Sequence, residues 1–174
     1  MLFAYDDGGR SESGFKGSAG DCVARAIAIA SKRPYQEVYK ALADGTANQR
    51  ASKHSPKRAR SARNGINVRR KWFKDYMKSL GFEWTPTMGI GTGCRVHLHD
   101  GELPSGKLVV SVSKHYTAVI DGTIRDTHDP QRDAHCIDRF EGWETADLKA
   151  GQWRNENGIC YISRRCVYGY WKLA

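Results

Sequence analysis

The stretch that most narrows what this chain can fold into is His115-Tyr116-Thr117-Ala118-Val119-Ile120, Asp121-Gly122, Thr123-Ile124-Arg125-Asp126-Thr127-His128. Asp-Gly between two alternating runs calls for a two-residue type I′ turn, whose twist matches that of the strands it joins. The turn sets the register: Ile120 faces Thr123, Ala118 faces Arg125 and Thr117 faces Asp126. Alternation then places His115, Thr117, Val119, Ile124, Asp126 and His128 on one face, and Tyr116, Ala118, Ile120, Thr123, Arg125 and Thr127 on the other. Asp126 is diagonal to His115 on that shared face, within reach of a side-chain hydrogen bond. Asp129 has the wrong parity unless the strand ends before it.

Around this hairpin, Val96–Leu98, Lys107–Ser113, Ile159–Arg164 and Cys166–Lys172 carry β-branched or aromatic residues at period 2 and read as strands. Tyr168, Tyr170 and Trp171 are expected to pack the sheet. The first half reads differently. After a glycine-rich opening loop, Asp21 is placed to N-cap a helix beginning at Cys22, with an apolar stripe at Val23, Ala26, Ile27 and Ala30. Pro34 opens a second helix, Tyr35–Leu42, and Trp72, Phe73, Tyr76, Met77 and Leu80 mark a third over Val68–Leu80, ended by Gly81. Helices first and then a mostly antiparallel sheet, with connections too short for parallel crossovers, predict a single α+β domain over residues 1–174. Apolar runs such as Leu108–Val112 fall far short of the ~20 residues of a spanning helix. Acidic residues at Asp6 and Asp7 precede any apolar signal region, so a cytoplasmic protein is expected.

The 174 residues include 28 Lys and Arg against 19 Asp and Glu, a formal charge of +9. Its distribution says more than its size. Between Asp44 and Lys71 lie nine cations and one acid, so that window carries +8 and the rest is nearly neutral. Residues 44–66 have the composition of a mobile surface insertion. Lys57, Arg58, Arg60, Arg63, Arg69, Arg70 and Lys71 are candidates for gripping nucleic-acid phosphates or an acidic protein, with Trp72 and Phe73 near enough to stack. A solvated loop that aids solubility is the plainer expectation.

Five cysteines, Cys22, Cys94, Cys136, Cys160 and Cys166, are an odd number and widely spaced, which points to thiols over a disulfide framework. Cys22 stands out. A thiol at a helix N-terminus has its thiolate favoured by the dipole and the free amides, and an imidazolium beside it lowers its pKa further. A carboxylate beside an imidazole holds one tautomer and leaves the other ring nitrogen as a base. Order and spacing therefore permit a Cys22–His115–Asp126 triad.

Gly20-Asp21-Cys22 opening an apolar helix, a His on a core strand about ninety positions later, and an Asp ending the neighbouring hairpin strand resemble the papain-like cysteine proteases. The likeness is closest to their small bacteriocin-processing branch and covers roughly a third of the chain. It implies a helix carrying the nucleophile, packed on an antiparallel sheet carrying His and Asp or Asn, and cleavage of a peptide, isopeptide or other acyl bond without cofactor. By resemblance, Cys22 is the nucleophile, His115 the general base and acid, and Asp126 the orienting group. Val23 follows Cys22 where larger members have an aromatic, and no Gln precedes Gln36. Lys16 or Ser18 occupies the position of the expected oxyanion donor, with backbone amides as the alternative. The whole chain also resembles small proteins common in phage genomes, which implies a substrate protein of the host cytoplasm.

Other motifs are weaker. Cys94-x₂-His97-x-His99, followed by His128, His135 and Cys136, supplies zinc-type ligands without a second matching pair, so no metal is expected. Gly89-Ile90-Gly91-Thr92-Gly93 lacks the Gly-Lys-Ser/Thr ending of a phosphate loop and reads as a turn that could line a cleft.

Overall fold

The computed structural model describes residues 1–50, 59–132, 134–137, 139–149, 152–162 and 164–174, with the backbone alone at 134–136 and 162. The described elements are β1 (Leu2–Tyr5), α1 (Cys22–Ser31), α2 (Tyr35–Asn48), α3 (Lys71–Ser79), β2 (Phe82–Pro86), β3 (Lys107–Val112), β4 (His115–Ile120), β5 (Thr123–Asp126), β6 (Ala134–Ile137), β7 (Gln152–Asn155), β8 (Gly158–Ile162) and β9 (Val167–Leu173). This is the α+β class that the order of signals predicts. Six strands form one sheet in the order β1-β5-β4-β3-β9-β2, and β6-β8-β7 form a second.

The hairpin is built as its sequence requires. Asp121 and Gly122 take φ 46° and 80°, and Ile120 pairs with Thr123 and Ala118 with Arg125. Pairing stops at that point, with Asp126 closing β5, so the expected Thr117–Asp126 pair does not form. The sheet is mixed rather than wholly antiparallel, because β1 lies parallel to β5. The short run Leu2-Phe3-Ala4-Tyr5 is hidden among glycines in the sequence. It becomes a strand by pairing with β5, while the Met1 ammonium is held by Asp100 at 3.0 Å and Gln131 at 3.0 Å.

Apolar clusters cover both faces of the large sheet. On one face Ile27, Tyr35, Val38, Leu42, Phe73 and Met77 of the helices meet Val109, Ala118 and Trp171. On the other, Leu98 closes over Leu108, Val110, Val119, Ile124 and Val167. Helix α1 is buried on nearly every side, Arg25 included. Helix α2 runs to Asn48, six residues past the expected end, so part of the 44–66 stretch is packed rather than loose. Gly45 permits this, since a Cβ there would stand 2.3 Å from the Trp72 ring. Thr46, Gln49 and Ala62 are buried too. Lys53, Lys57 and Arg58 lie outside the described residues.

The cysteines correct the sequence reading of five thiols. Cys94 and Cys166 form a disulfide across 72 residues, Cys160 is disulfide-bonded, and Cys22 is the free cysteine among the described residues. Register explains the first pairing: Val96–Leu98, expected as a strand, makes only a bridge through His97 to Cys166, which brings the Cys94 backbone beside β9. Among the described residues no helix is long and apolar enough to cross a membrane.

Candidate active site

Cys22 is the first residue of α1, and the short turn at 113–114 delivers His115 as the first residue of β4. The helices cover the sheet face that carries Tyr116 and Ala118, so alternation alone would turn His115 away from Cys22. At the strand's first residue that separation lapses. Cys22, His115 and Tyr116 line one cleft, and the His115 ring and the Tyr116 backbone N–H both favour the Cys22 thiolate. His115 Nε2 is 2.7 Å from Asp126 Oδ2, which leaves Nδ1 as the ring nitrogen not taken by the carboxylate. The carboxylate bonded to His115 is Asp126, not Asp129; Asp129 is exposed and accepts from Gln131.

The electrostatics follow from these bonds. Burial pulls the His115 imidazolium down, but the hydrogen bonds to Asp126 and Cys22 outweigh it and take its pKa up to about 9. Burial raises the Cys22 thiol, and the His115 hydrogen bond and charge reverse that, leaving it below the ordinary value. Asp126 is 3% exposed, yet His115 and the Thr127 amide (2.7 Å) hold its carboxyl below the usual range. Thiolate and imidazolium are thus each stabilised by the other.

Asp21, expected to cap α1, does something else. It stands at the N-cap position with no side-chain cap bond. Its buried carboxylate instead takes Arg10 Nε at 2.8 Å, the Tyr35 hydroxyl and Arg25 Nη1. Arg25 also turns Nη2 toward Asp126 Oδ1 at 3.9 Å. A buried chain of charge therefore runs Arg10–Asp21–Arg25–Asp126–His115–Cys22. Arg25 is missing from the expected site residues, although a lone cation within the apolar stripe of α1, three residues after Cys22, is the signal that could have found it. Because Asp21 is spent elsewhere, the first amides of α1 remain without a side-chain acceptor.

Cys22 and His115 open into a cleft of about 620 Å³ between the α1 N-terminus, residues 64–69, α3 and the sheet. Lys16 and Ser18 are exposed and neither lines it. Asn64 does, with its backbone packed 3.6 Å from where a Gly20 Cβ would stand. The glycine-rich turn at 89–93 lies outside the lining. Of the basic candidates, Arg60 pairs with Asp44, Lys71 with Asp75 at 2.6 Å, and Arg63 donates to Ser18 O at 3.3 Å. Arg70 Nε is buried without a partner, and Arg69 lines the cleft. The proposed stacking pair is unavailable: Phe73 is fully buried and Trp72 packs over Gly45.

The zinc-type motif is taken apart by the fold. Cys94 is in its disulfide, His97 Nδ1 meets Glu102 at 3.0 Å, and His99 meets the Asp100 carbonyl. The side chains of His135 and Cys136 lie outside the description. Among the described residues, the His, Cys, Asp or Glu group close enough to hold an ion is His115, Asp126 and His128, with ligand atoms all within 4.8 Å. His115 Nε2 is already engaged by Asp126 at 2.7 Å, so an ion taking that nitrogen would displace the carboxylate. Comparison with protein-family models, with curated proteins and with solved structures gives no match to this chain.

Proposed function

We propose that this chain is a cysteine hydrolase of papain-like type that cleaves a peptide, isopeptide or other acyl bond. One observation carries the reading: Cys22, at the first turn of α1, shares a cleft with a His115 ring whose Nε2 is held by buried Asp126 at 2.7 Å, and the imidazole lowers the thiol's pKa. A thiolate is the nucleophile, and here it forms by proton transfer to a neighbouring imidazole whose charge a buried carboxylate supports. The Cys22 sulfur attacks the acyl carbon, and the carbonyl π pair moves to its oxygen. His115 Nδ1–H then protonates the leaving group as the old bond breaks. Water, deprotonated by His115, displaces the thiolate and releases the acid. Developing negative charge on the acyl oxygen meets the uncapped first amides of α1, with the Asn64 amide on the same wall.

The charge-based alternative, an inert module gripping a polyanion through 44–71, draws less support, since Arg60 and Lys71 are already paired and Trp72 and Phe73 are packed. It would show salt-sensitive binding that survives Cys22→Ala.

Reaction rate is the test, because disulfides alone could leave Cys22 as the thiol that labels. In the oxidised protein at pH 6.5, iodoacetamide should alkylate Cys22 at least about tenfold faster than it alkylates glutathione, and His115→Ala should remove the excess. A Cys22 no faster than glutathione, or one indifferent to His115, contradicts the reading.

A further inference from the structure

The charged side chains that line the cleft, apart from the triad histidine, are Arg69, Lys74 and Lys114. All three are exposed, and among the described residues none forms an ion pair or side-chain hydrogen bond. No Asp or Glu shares the lining. They come from three elements: Arg69 from the basic segment, Lys74 from α3 and Lys114 from the turn before His115. Some cations elsewhere on the surface are paired, as in Arg33–Glu37 and Arg125–Asp6, whereas the three in the cleft have no acid beside them in its lining. Lys114 also takes φ 56°, a left-handed conformation that glycine or asparagine adopts at less cost. A lysine there breaks the local rule of the turn and adds a cation to the cleft lining. Trp84, Tyr168 and Trp171 also line the cleft, with the two tryptophan rings 5.2 Å apart.

We propose that this cleft takes acidic peptides, presenting a carboxylate to Arg69, Lys74 and Lys114 while an apolar flank lies on Trp84 and Trp171. The proposal rests on the hydrolase reading and supplies its substrate class. It also gives the basic segment a use other than nucleic-acid binding: through Arg69 the segment contributes to the same cleft as the nucleophile. A cleft lined by one sign of charge concentrates ligands of the other, and exposed cations do so in a salt-dependent way.

Iodoacetate and iodoacetamide test it, being nearly the same size and differing by one negative charge. In each, the Cys22 sulfur forms a bond to the methylene carbon as the carbon–iodine bond breaks and iodide leaves with the electron pair. The rate ratio of iodoacetate to iodoacetamide at Cys22, divided by the same ratio for glutathione, should be about tenfold above one at low salt and fall steeply by 1 M salt. In Arg69→Gln/Lys74→Gln/Lys114→Gln it should drop about fivefold. Any general change in thiol reactivity cancels in the ratio, and the His115 charge is common to both proteins. A normalised ratio near one, or one unchanged in the triple variant, overturns the acidic-substrate proposal. If iodoacetamide still labels Cys22 faster than glutathione, the hydrolase reading survives that failure. If that excess is absent too, both fall. Should the triple variant not fold, the salt dependence and the single Lys74→Gln change in the ratio decide.

Discussion

At the residue scale, His115 holds the account together, because one ring serves two partners. Its folded pKa is raised to about 9, so its contribution to stability is whole below its ordinary 6.5 and is lost as pH rises through about 9. Asp126 is lowered, so its contribution is present above its ordinary value and is lost as acid protonates it. Asp126→Asn should therefore destabilise the protein most between about pH 4 and 6.5, with the gap to wild type closing toward pH 9; urea titrations across that range would show it. A gap that widens with rising pH contradicts the assigned partnership. The same change should slow alkylation of Cys22 at pH 6.5 by about tenfold, the cost of roughly one unit of lost imidazolium support.

At the element scale, α1 brings the nucleophile and a buried cation to the sheet together. Arg25 is 7% exposed and stands between two buried carboxylates. Arg25→Met takes one cation from both, Asp21 keeping Arg10 and Asp126 keeping His115, and should cost about 1–3 kcal/mol in urea unfolding, with Arg25→Lys intermediate. A loss below about 1 kcal/mol would mean that the carboxylates do not depend on it. Helix α2 docks on α3 through Gly45, where a methyl must displace the Trp72 ring, so Gly45→Ala should cost about 1–3 kcal/mol despite alanine's better helix propensity. These two positions show what alternation and helical period miss. The Asp-Gly turn made the β4–β5 register readable because its chemistry is local. A glycine that admits a tryptophan, or an arginine that bridges carboxylates from α1 to β5, takes its meaning from a contact distant in sequence.

At the scale of the whole molecule, legibility follows the same division. The α+β class was readable from the order of signals and the His115–Asp126 contact from hairpin parity, whereas parity alone would turn His115 away from Cys22. The parallel β1 and the Cys94–Cys166 bridge were not readable, since each depends on a partner about seventy or more residues away. Net charge misled in a related way: the +8 segment looks like a uniform basic patch, but Arg60 and Lys71 are paired while Arg69 enters the cleft. The disulfide closes a loop of 72 residues, so reducing it should lower the stability of the fold by about 2–4 kcal/mol. A thermal midpoint indifferent to dithiothreitol would speak against the pairing.

The central claim is that the His115 ring holds the Cys22 thiol below its ordinary pKa. Thiolate absorbance near 240 nm, recorded against pH as the difference between the oxidised wild-type protein and Cys22→Ser, measures it directly. The expected curve shows thiolate persisting well below the ordinary thiol value of 9.0, with His115→Ala moving the step back to 9.0 or higher. A wild-type step at or above 9.0, unmoved by His115→Ala, would contradict the account.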